Sequence, residues 1–202
     1  MIIPRLILGS TSPYRKQLLA NLGVTFTQRR PDTDESPNQG EGPSSAALRL
    51  GASKAQSVAD QLQNEAHWIC IGSDQVCHLE GTLYGKPGTA EQAALQLASF
   101  SDRWVTFSTS LALIASDGQT FSAVEDYECC FKTLSSNEID TYIQLDQPLD
   151  CAGSIKVERA GVSLLRDTRG RDINSLYGLP LMLLSEALQS FSYSIYDFIK
   201  EP

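Results

Sequence analysis

Asp117-Gly118 separates two long runs rich in apolar and β-branched residues, Arg103 to Ala115 and Phe121 to Lys132. Asp-Gly between such runs is a strong signal for an antiparallel hairpin. This hairpin constrains the fold more than any other feature, because the segments before it alternate between strand and helix patterns. Arg5 to Gly9 (R-L-I-L-G) reads as a short buried strand. Ser12 then suits a helix N-cap, Pro13 the first helical position and Gly23 the residue just past the end. Val24 to Gln28 reads as a second strand, and Ser44 to Gln63 as a helix with Leu48, Ala52, Ala55 and Ala59 near one face. Trp68 to Ser73 (W-I-C-I-G-S) is a buried strand ending at Asp74. A sheet that accepts both β-α units and a long hairpin is mixed rather than purely parallel.

The remaining segments extend the pattern. Glu80-Gly81 reads as the turn of a hairpin between Val76 to Leu79 and Thr82 to Tyr84. Thr89 to Gln92 and Ser135 to Glu138 have capping-box spacing, opening helices that run to Phe100 and about Leu145. Cys151 to Val157 and Val162 to Leu165 look like strands, and Gly178-Leu179-Pro180 precedes a last helix, Leu181 to Leu188. Arg30 to Pro43, with three prolines, two glycines and four acidic residues, is a long loop. The aromatic tail Phe191, Tyr193, Tyr196 and Phe198 suits packing within the chain, with a homodimer face as the alternative. At 202 residues the chain is expected to form one domain, residues 1–202.

A net charge of −8 argues against a broad nucleic-acid-binding face, though not against a local basic pocket. No apolar run approaches the ~20 residues that span a bilayer, and Met1 to Leu8 does not read as a signal peptide. The expected location is therefore the cytoplasm. Cys70, Cys77, Cys129, Cys130 and Cys151 are odd in number and lack C-x-x-C spacing, so buried free thiols are expected. His67 and His78 lack metal-ligand spacing.

Four places can carry chemistry. The turn Gly9 to Lys16 leads a strand into a helix, where backbone N–H groups and the helix dipole favour an anion, and Ser10, Thr11, Arg15 and Lys16 add donors and charge. The plain alternative is a good cap with solvated basic residues. Asp32-Thr33-Asp34-Glu35 offers oxygen ligands for a hard cation, or is a solvated acidic loop. Asp74 closes a buried strand, where open α/β sheets bind ligands, or simply caps that strand. Lys86, held between Gly85 and Pro87, and Lys54 within a helix can each direct a cation into a cleft or lie on the surface. An anion cradle, two acidic clusters and two further cations together are what phosphoryl chemistry with a divalent ion requires.

The ordered motifs L-I-L-G-S-T-S-P-Y-R at the start, D-T-D-E at Asp32 to Glu35, A-S-K-A around Lys54, I-G-S-D-Q at Ile71 to Gln75 and G-K-P at Gly85 to Pro87 resemble the Maf family of nucleoside triphosphate pyrophosphatases. C-A-G-S at Cys151 to Ser154, G-R-D-I-N-S-L at Gly170 to Leu176 and G-L-P-L at Gly178 to Leu181 extend the resemblance to nearly the whole chain. It implies an α/β fold of the inosine-triphosphatase kind: an elongated mixed β-sheet with flanking helices and two lobes around a central nucleotide cleft. It also implies hydrolysis of a nucleotide between its α and β phosphates, an acid-anhydride hydrolase reaction. By the same resemblance Asp74 is the proton acceptor. Glu35 and Asp74 would hold a divalent cation, Mg²⁺ or Mn²⁺, and Ser10, Arg15, Lys54 and Lys86 the phosphates.

Within the family the chain is most similar to the branch that hydrolyses 7-methyl-GTP, through Tyr14, Gln75 and Glu158. N7-methylation makes guanine cationic, and a cation on an aromatic face gains ~0.5–2 kcal/mol. The N1–H and N2–H₂ edge of guanine suits a carboxylate such as Glu158. Tyr14 stands where that branch has Trp, the better cation partner, which implies lower affinity or broader selectivity. The alternatives are a dTTP or UTP pyrophosphatase of the same family and a septum-formation regulator acting by binding. The implied partner is a small-molecule nucleotide, with no nucleic acid or membrane.

Overall fold

The computed structural model describes residues 2–36 and 38–199; Met1, Pro37 of the Arg30 to Pro43 loop and residues 200–202 lie outside the described residues. Strand β1 (Arg5–Gly9) enters helix α1 (Pro13–Asn21) through a turn capped by Ser12, whose side chain accepts from the Arg15 amide. Gly23, just past the helix end, takes φ +75°, the left-handed conformation that glycine adopts without strain. There follow β2 (Phe26–Arg29), α2 (Pro43–Asp60), β3 (Trp68–Gly72) and the hairpin β4 (Gln75–Leu79) and β5 (Thr82–Tyr84). Helix α3 (Ala90–Phe100), the long hairpin β6 (Trp104–Ala115) and β7 (Thr120–Phe131), α4 (Ser136–Asp146), β8 (Leu165–Arg169), α5 (Ile173–Leu176) and α6 (Leu181–Ser190) complete the chain. No helix of the described residues is long and apolar enough to cross a membrane.

The sheet is mixed. β1 pairs in parallel with β2 and β3, whereas β3–β6, β4–β6, β4–β5, β6–β7 and β7–β8 are antiparallel. Along one edge of β6, β3 faces residues 112–115 and β4 faces 106–109. The chain thus crosses that edge as two collinear strands with a break at Ser73-Asp74.

Period-two alternation sets the layers. Leu6, Leu8, Ile69, Ile71, Leu111 and Leu113 pack with α1 and α6, while Ile7, Trp68 and Cys70 pack with Val58, Ala59 and Leu62 at the end of α2. Val105 and Phe107, on the same alternation of β6 as Leu111 and Leu113, join a second cluster with α3 and α4. Between these clusters on β6 stands Thr109. Its partner on β4, Gln75, lines the cavity described below.

Several expectations need correction. Cys151 to Val157 and Val162 to Leu165 are not strands; 3₁₀ turns occupy Ala152–Ser154 and Ala160–Leu164. Gly153 at φ +69° turns the chain out of extension, and the Lys156 carbonyl accepts from both Arg159 N and Gly161 N, folding the segment back on itself. The strand lies later, in Leu165–Arg169, on the edge of β7. The second strand begins at Phe26 rather than Val24, whose residue forms an isolated bridge with Ile199. Of the aromatic tail, Phe191 and Phe198 are buried against α6 and β1, Tyr193 packs on Phe198, and Tyr196 remains 77% exposed. All five cysteines are free, four of them buried; Cys151 is only partly so.

Candidate active site

Two glycines bring α2 onto the break between β3 and β4. A Cβ on Gly72 would lie 2.2 Å from the Gly51 carbonyl and 2.6 Å from the Ala55 amide; one on Gly51 would lie 2.2 Å from Ser110 Oγ. Helix and strand backbones therefore touch. Ser110 closes the break: its Oγ accepts from the Asp74 amide (3.0 Å) and its amide donates to the Asp74 carbonyl (2.8 Å). Lys54, one turn beyond Gly51, is then carried to Asp74.

A cavity of about 620 Å³ opens at this point, and Ser10, Tyr14, Arg15, Glu35, Lys54, Asp74, Gln75, Lys86 and Glu158 all line it. Its charged groups separate into two neighbourhoods. In the first, Lys54 Nζ bridges Asp74 Oδ1 at 2.6 Å and Glu35 Oε1 at 2.7 Å. The side chains of Lys54 and Asp74 are only 8% and 13% exposed, so this pair is weakly screened. The hydrogen bond from Lys54 holds the Glu35 carboxyl below the usual carboxylate range, with Lys86 and Arg15 adding to the effect. Arg15 Nε donates to the Gly178 carbonyl (2.6 Å) and an Nη to Ser10 Oγ (3.4 Å). Burial lowers the Arg15 pKa from its ordinary value, and the charges of Asp74 and Glu35 oppose that shift. Lys86 is exposed at the rim and forms no ion pair among the described residues.

Of the Asp32 to Glu35 cluster, only Glu35 reaches the cavity wall. The Asp32 amide and carbonyl are tied to Ser57 Oγ, and Asp34 accepts from the Ser36 amide. Lys16 does not line the cavity.

The second neighbourhood is aromatic and acidic. Tyr14, Cys151, Glu158, Asp150 and Tyr177 line it. Burial raises the Tyr14 pKa, and the nearby Cys151 and Glu158 charges add to the shift; burial and Glu158 act likewise on Tyr177. The Cys151 thiol, 4.0 Å from the Tyr14 hydroxyl, is pushed up to about 11 by burial and then by Asp150, so it stays protonated at neutral pH. Gln75 is pinned rather than free. Its Nε2 faces Thr109 Oγ1 (3.0 Å), Ser175 O (2.9 Å) and Leu176 O (3.0 Å), which leaves Oε1 as the group it can offer. Glu158 stands in a tight turn, not at a strand end, and makes no hydrogen bond among the described residues.

Sequence reasoning passed over Arg49, Tyr177 and Ser73. Arg49 lines the cavity and grips Glu41 through Nε (2.8 Å) and an Nη (2.7 Å), with a further contact to the Ser36 carbonyl beside Glu35. One signal could have found it: it is the only cation of α2 besides Lys54. Ser73 Oγ donates to the same Gly178 carbonyl that receives Arg15 (2.9 Å). Only the three-dimensional return of residues 175–178 to β3 shows that contact.

Among the described residues no group of three or more His, Cys, Asp or Glu side chains is arranged to hold a metal ion. Glu35 and Asp74 do present two hard oxygen donors converging on one cation, the Lys54 ammonium, a donor set that suits Mg²⁺ or Mn²⁺ once phosphate oxygens complete it.

The family described as Maf-like protein matches residues 5–191. The 7-methyl-GTP pyrophosphatase of Xanthomonas oryzae pv. oryzae (strain KACC10331 / KXO85) is 43% identical over 194 residues, covering 96% of this chain and all of that protein. Two solved structures resemble part of the chain. One is a nucleoside-triphosphatase / dITP/XTP pyrophosphatase from Mycobacterium abscessus, 19% identical with a TM-score of 0.41 over 64% of this chain and 75% of that one. The other is a HAM1 protein from Coxiella burnetii, 14% identical with a TM-score of 0.42 over 64% and 73%.

Proposed function

The chain belongs to the Maf family, and on that premise we propose that it is a nucleotide pyrophosphatase hydrolysing 7-methyl-GTP to 7-methyl-GMP and pyrophosphate, removing a modified nucleotide before it can enter nucleic acid. The observation that carries this reading is the segregation of the cavity. Cations and carboxylates that share Lys54 stand at one end, aromatic rings with Asp150 and the unpaired Glu158 at the other. A triphosphate needs the first, and a cationic base stacks on the rings of the second and faces its acids.

The reaction breaks the bond between the α phosphorus and the oxygen bridging it to the β phosphorus. A water supplies the new oxygen on the α phosphorus, and pyrophosphate leaves. Asp74 accepts the water's proton. Arg15, Lys54 and Lys86 neutralise the charge that gathers on the leaving pyrophosphate, with Ser10 donating within the turn. A divalent cation bound by Glu35 and Asp74 with the phosphates would supply further electrostatic stabilisation of that charge. Tyr14 and Tyr177 flank the base. Glu158 accepts from its N1–H and N2–H₂ edge, and Gln75 contributes Oε1. The relevant place is the cytoplasm, where nucleotide pools are held.

The test is pyrophosphate release from 7-methyl-GTP, GTP, dTTP and UTP. 7-Methyl-GTP should exceed GTP in kcat/KM by roughly 2- to 30-fold, the equivalent of ~0.5–2 kcal/mol of cation–π attraction. A preference for dTTP or UTP would overturn the substrate. Asp74→Asn should lower kcat by about 10²–10⁴ with the fold intact; near-normal turnover would remove Asp74 from the base role.

A further inference from the structure

Glu158 has a cation on either side of it in the chain, Lys156 and Arg159, yet it pairs with neither among the described residues. Both cations are drawn back to the end of α4. Lys156 Nζ donates to the Asp146 and Gln147 carbonyls, each at 3.2 Å, and lies 3.4 Å from Asp150 Oδ1. A helix C-terminus favours a cation there. Arg159 Nε reaches Asp146 Oδ1 at 3.2 Å. The backbone of the turn is held as well: Lys156 N donates to the Tyr142 hydroxyl (2.8 Å), and a Cβ on Gly161 would meet the Lys156 carbonyl at 2.6 Å.

The Asp146–Arg159 pair is a poor device for stability. The Asp146 side chain is 1% exposed and that of Arg159 57% exposed. Asp146 Oδ2 is buried and has no hydrogen-bond partner among the described residues. A carboxylate desolvated on those terms returns little net stabilisation. A role in arranging its neighbours accounts for it better.

We propose that Asp146 is a positioning residue for base recognition: it sequesters Arg159 so that the Glu158 carboxylate stays unpaired and available to the base. This rests on the reading of Glu158 as a base reader. Without the Asp146 charge, Arg159 swings to Glu158 one residue away and neutralises it.

The experiment measures kcat and KM for 7-methyl-GTP and GTP in the full-length protein and in Glu158→Ala, Asp146→Asn and the double variant Asp146→Asn/Arg159→Met, with near-UV circular dichroism as the check on folding. Asp146→Asn should raise KM for 7-methyl-GTP about two- to fivefold with kcat little changed, the loss expected when a salt bridge neutralises an exposed carboxylate. It should move the 7-methyl-GTP/GTP ratio toward that of Glu158→Ala. The double variant, which removes the freed cation, should restore the ratio. Loss without restoration means a merely structural role and overturns the proposal, as does an unchanged ratio in Asp146→Asn. An unchanged ratio in Glu158→Ala overturns the base-reading role itself, whereas a change there alone leaves that role standing and sinks only the part assigned to Asp146. Should Asp146→Asn fail to fold, Asp146→Ser with and without Arg159→Met gives the same comparison.

Discussion

Gly72→Ala tests whether the contact between α2 and the sheet is what builds the site. The added methyl would sit 2.2 Å from the Gly51 carbonyl, 2.6 Å from the Ala55 amide and 2.8 Å from the Ala55 Cβ. These are backbone atoms and a helix methyl, none of them the far end of a flexible side chain. To reach ordinary contact, α2 must withdraw by about 1 Å. Overpacking of this kind costs typically 1–3 kcal/mol, and more against rigid backbone. In a chain of this size each kcal/mol lowers Tm by about 2–4 °C, so a fall of roughly 2–12 °C is expected. The same withdrawal carries Lys54 away from Asp74, now 2.6 Å from it. A misplacement of about 1 Å can cost up to 10²-fold in rate. Differential scanning fluorimetry and pyrophosphate release measure the two effects. Gly85→Ala is the control for stability, since a Cβ there meets nothing within 4 Å, and it should move Tm by less than about 2 °C. If Gly72→Ala keeps both wild-type Tm and wild-type kcat, the close backbone approach is not what holds Lys54 in place.

Glu35 gives an acid-side prediction. Lys54 holds its folded-state pKa below the ordinary value of 4.5, so the stabilisation is fully present above that value and is lost as pH falls through the depressed one. Melting curves of wild type and Glu35→Gln should therefore differ most above pH 4.5 and converge at more acid pH; a constant offset down to the acid limit would contradict the pairing. Tyr14→Trp should raise the preference for 7-methyl-GTP over GTP, because the indole face attracts a cation more strongly than the phenol face. An unchanged ratio in steady-state kinetics would take the ring at position 14 out of contact with the base.

Local chemistry was legible where it depends on neighbours in the chain. The turn from β1 into α1 could be read because Ser12, Pro13 and Gly23 each satisfy a backbone requirement within a few residues. The α4 start was legible for the same reason, and its reciprocal capping box is complete. Thr89 caps α3, but the reciprocal bond from Gln92 is not made, so that half of the spacing signal misled. The segment after Cys151 misled further. Ile155-Lys156-Val157 has a strand-like composition, but the close approach of Gly161 to the Lys156 carbonyl and the positive φ of Gly153 are tertiary facts that override it. The meeting of Lys54 with Asp74, twenty residues apart, was legible only as residue types. What makes it geometry is the pair Gly51 and Gly72, whose importance lies in the side chains they lack.

A net charge of −8 opposes a triphosphate at long range, but the charge that matters is local. Eight charged side chains line the cavity: Arg15, Arg49, Lys54 and Lys86 against Glu35, Asp74, Asp150 and Glu158. The cavity is therefore balanced in number and polarised in space. All four cations stand with Glu35 and Asp74, and in the resting protein Lys54 is shared between those two acids, while Glu158 and Asp150 border Tyr14. A ligand that is anionic at one end and cationic at the other matches both halves at once. Unmethylated guanine offers Glu158 the same N1–H and N2–H₂ edge but brings no positive charge to the rings and acids of the second half. Discrimination on the proposed reading thus arises from the charge that methylation adds, over a hydrogen-bonding edge that both bases share.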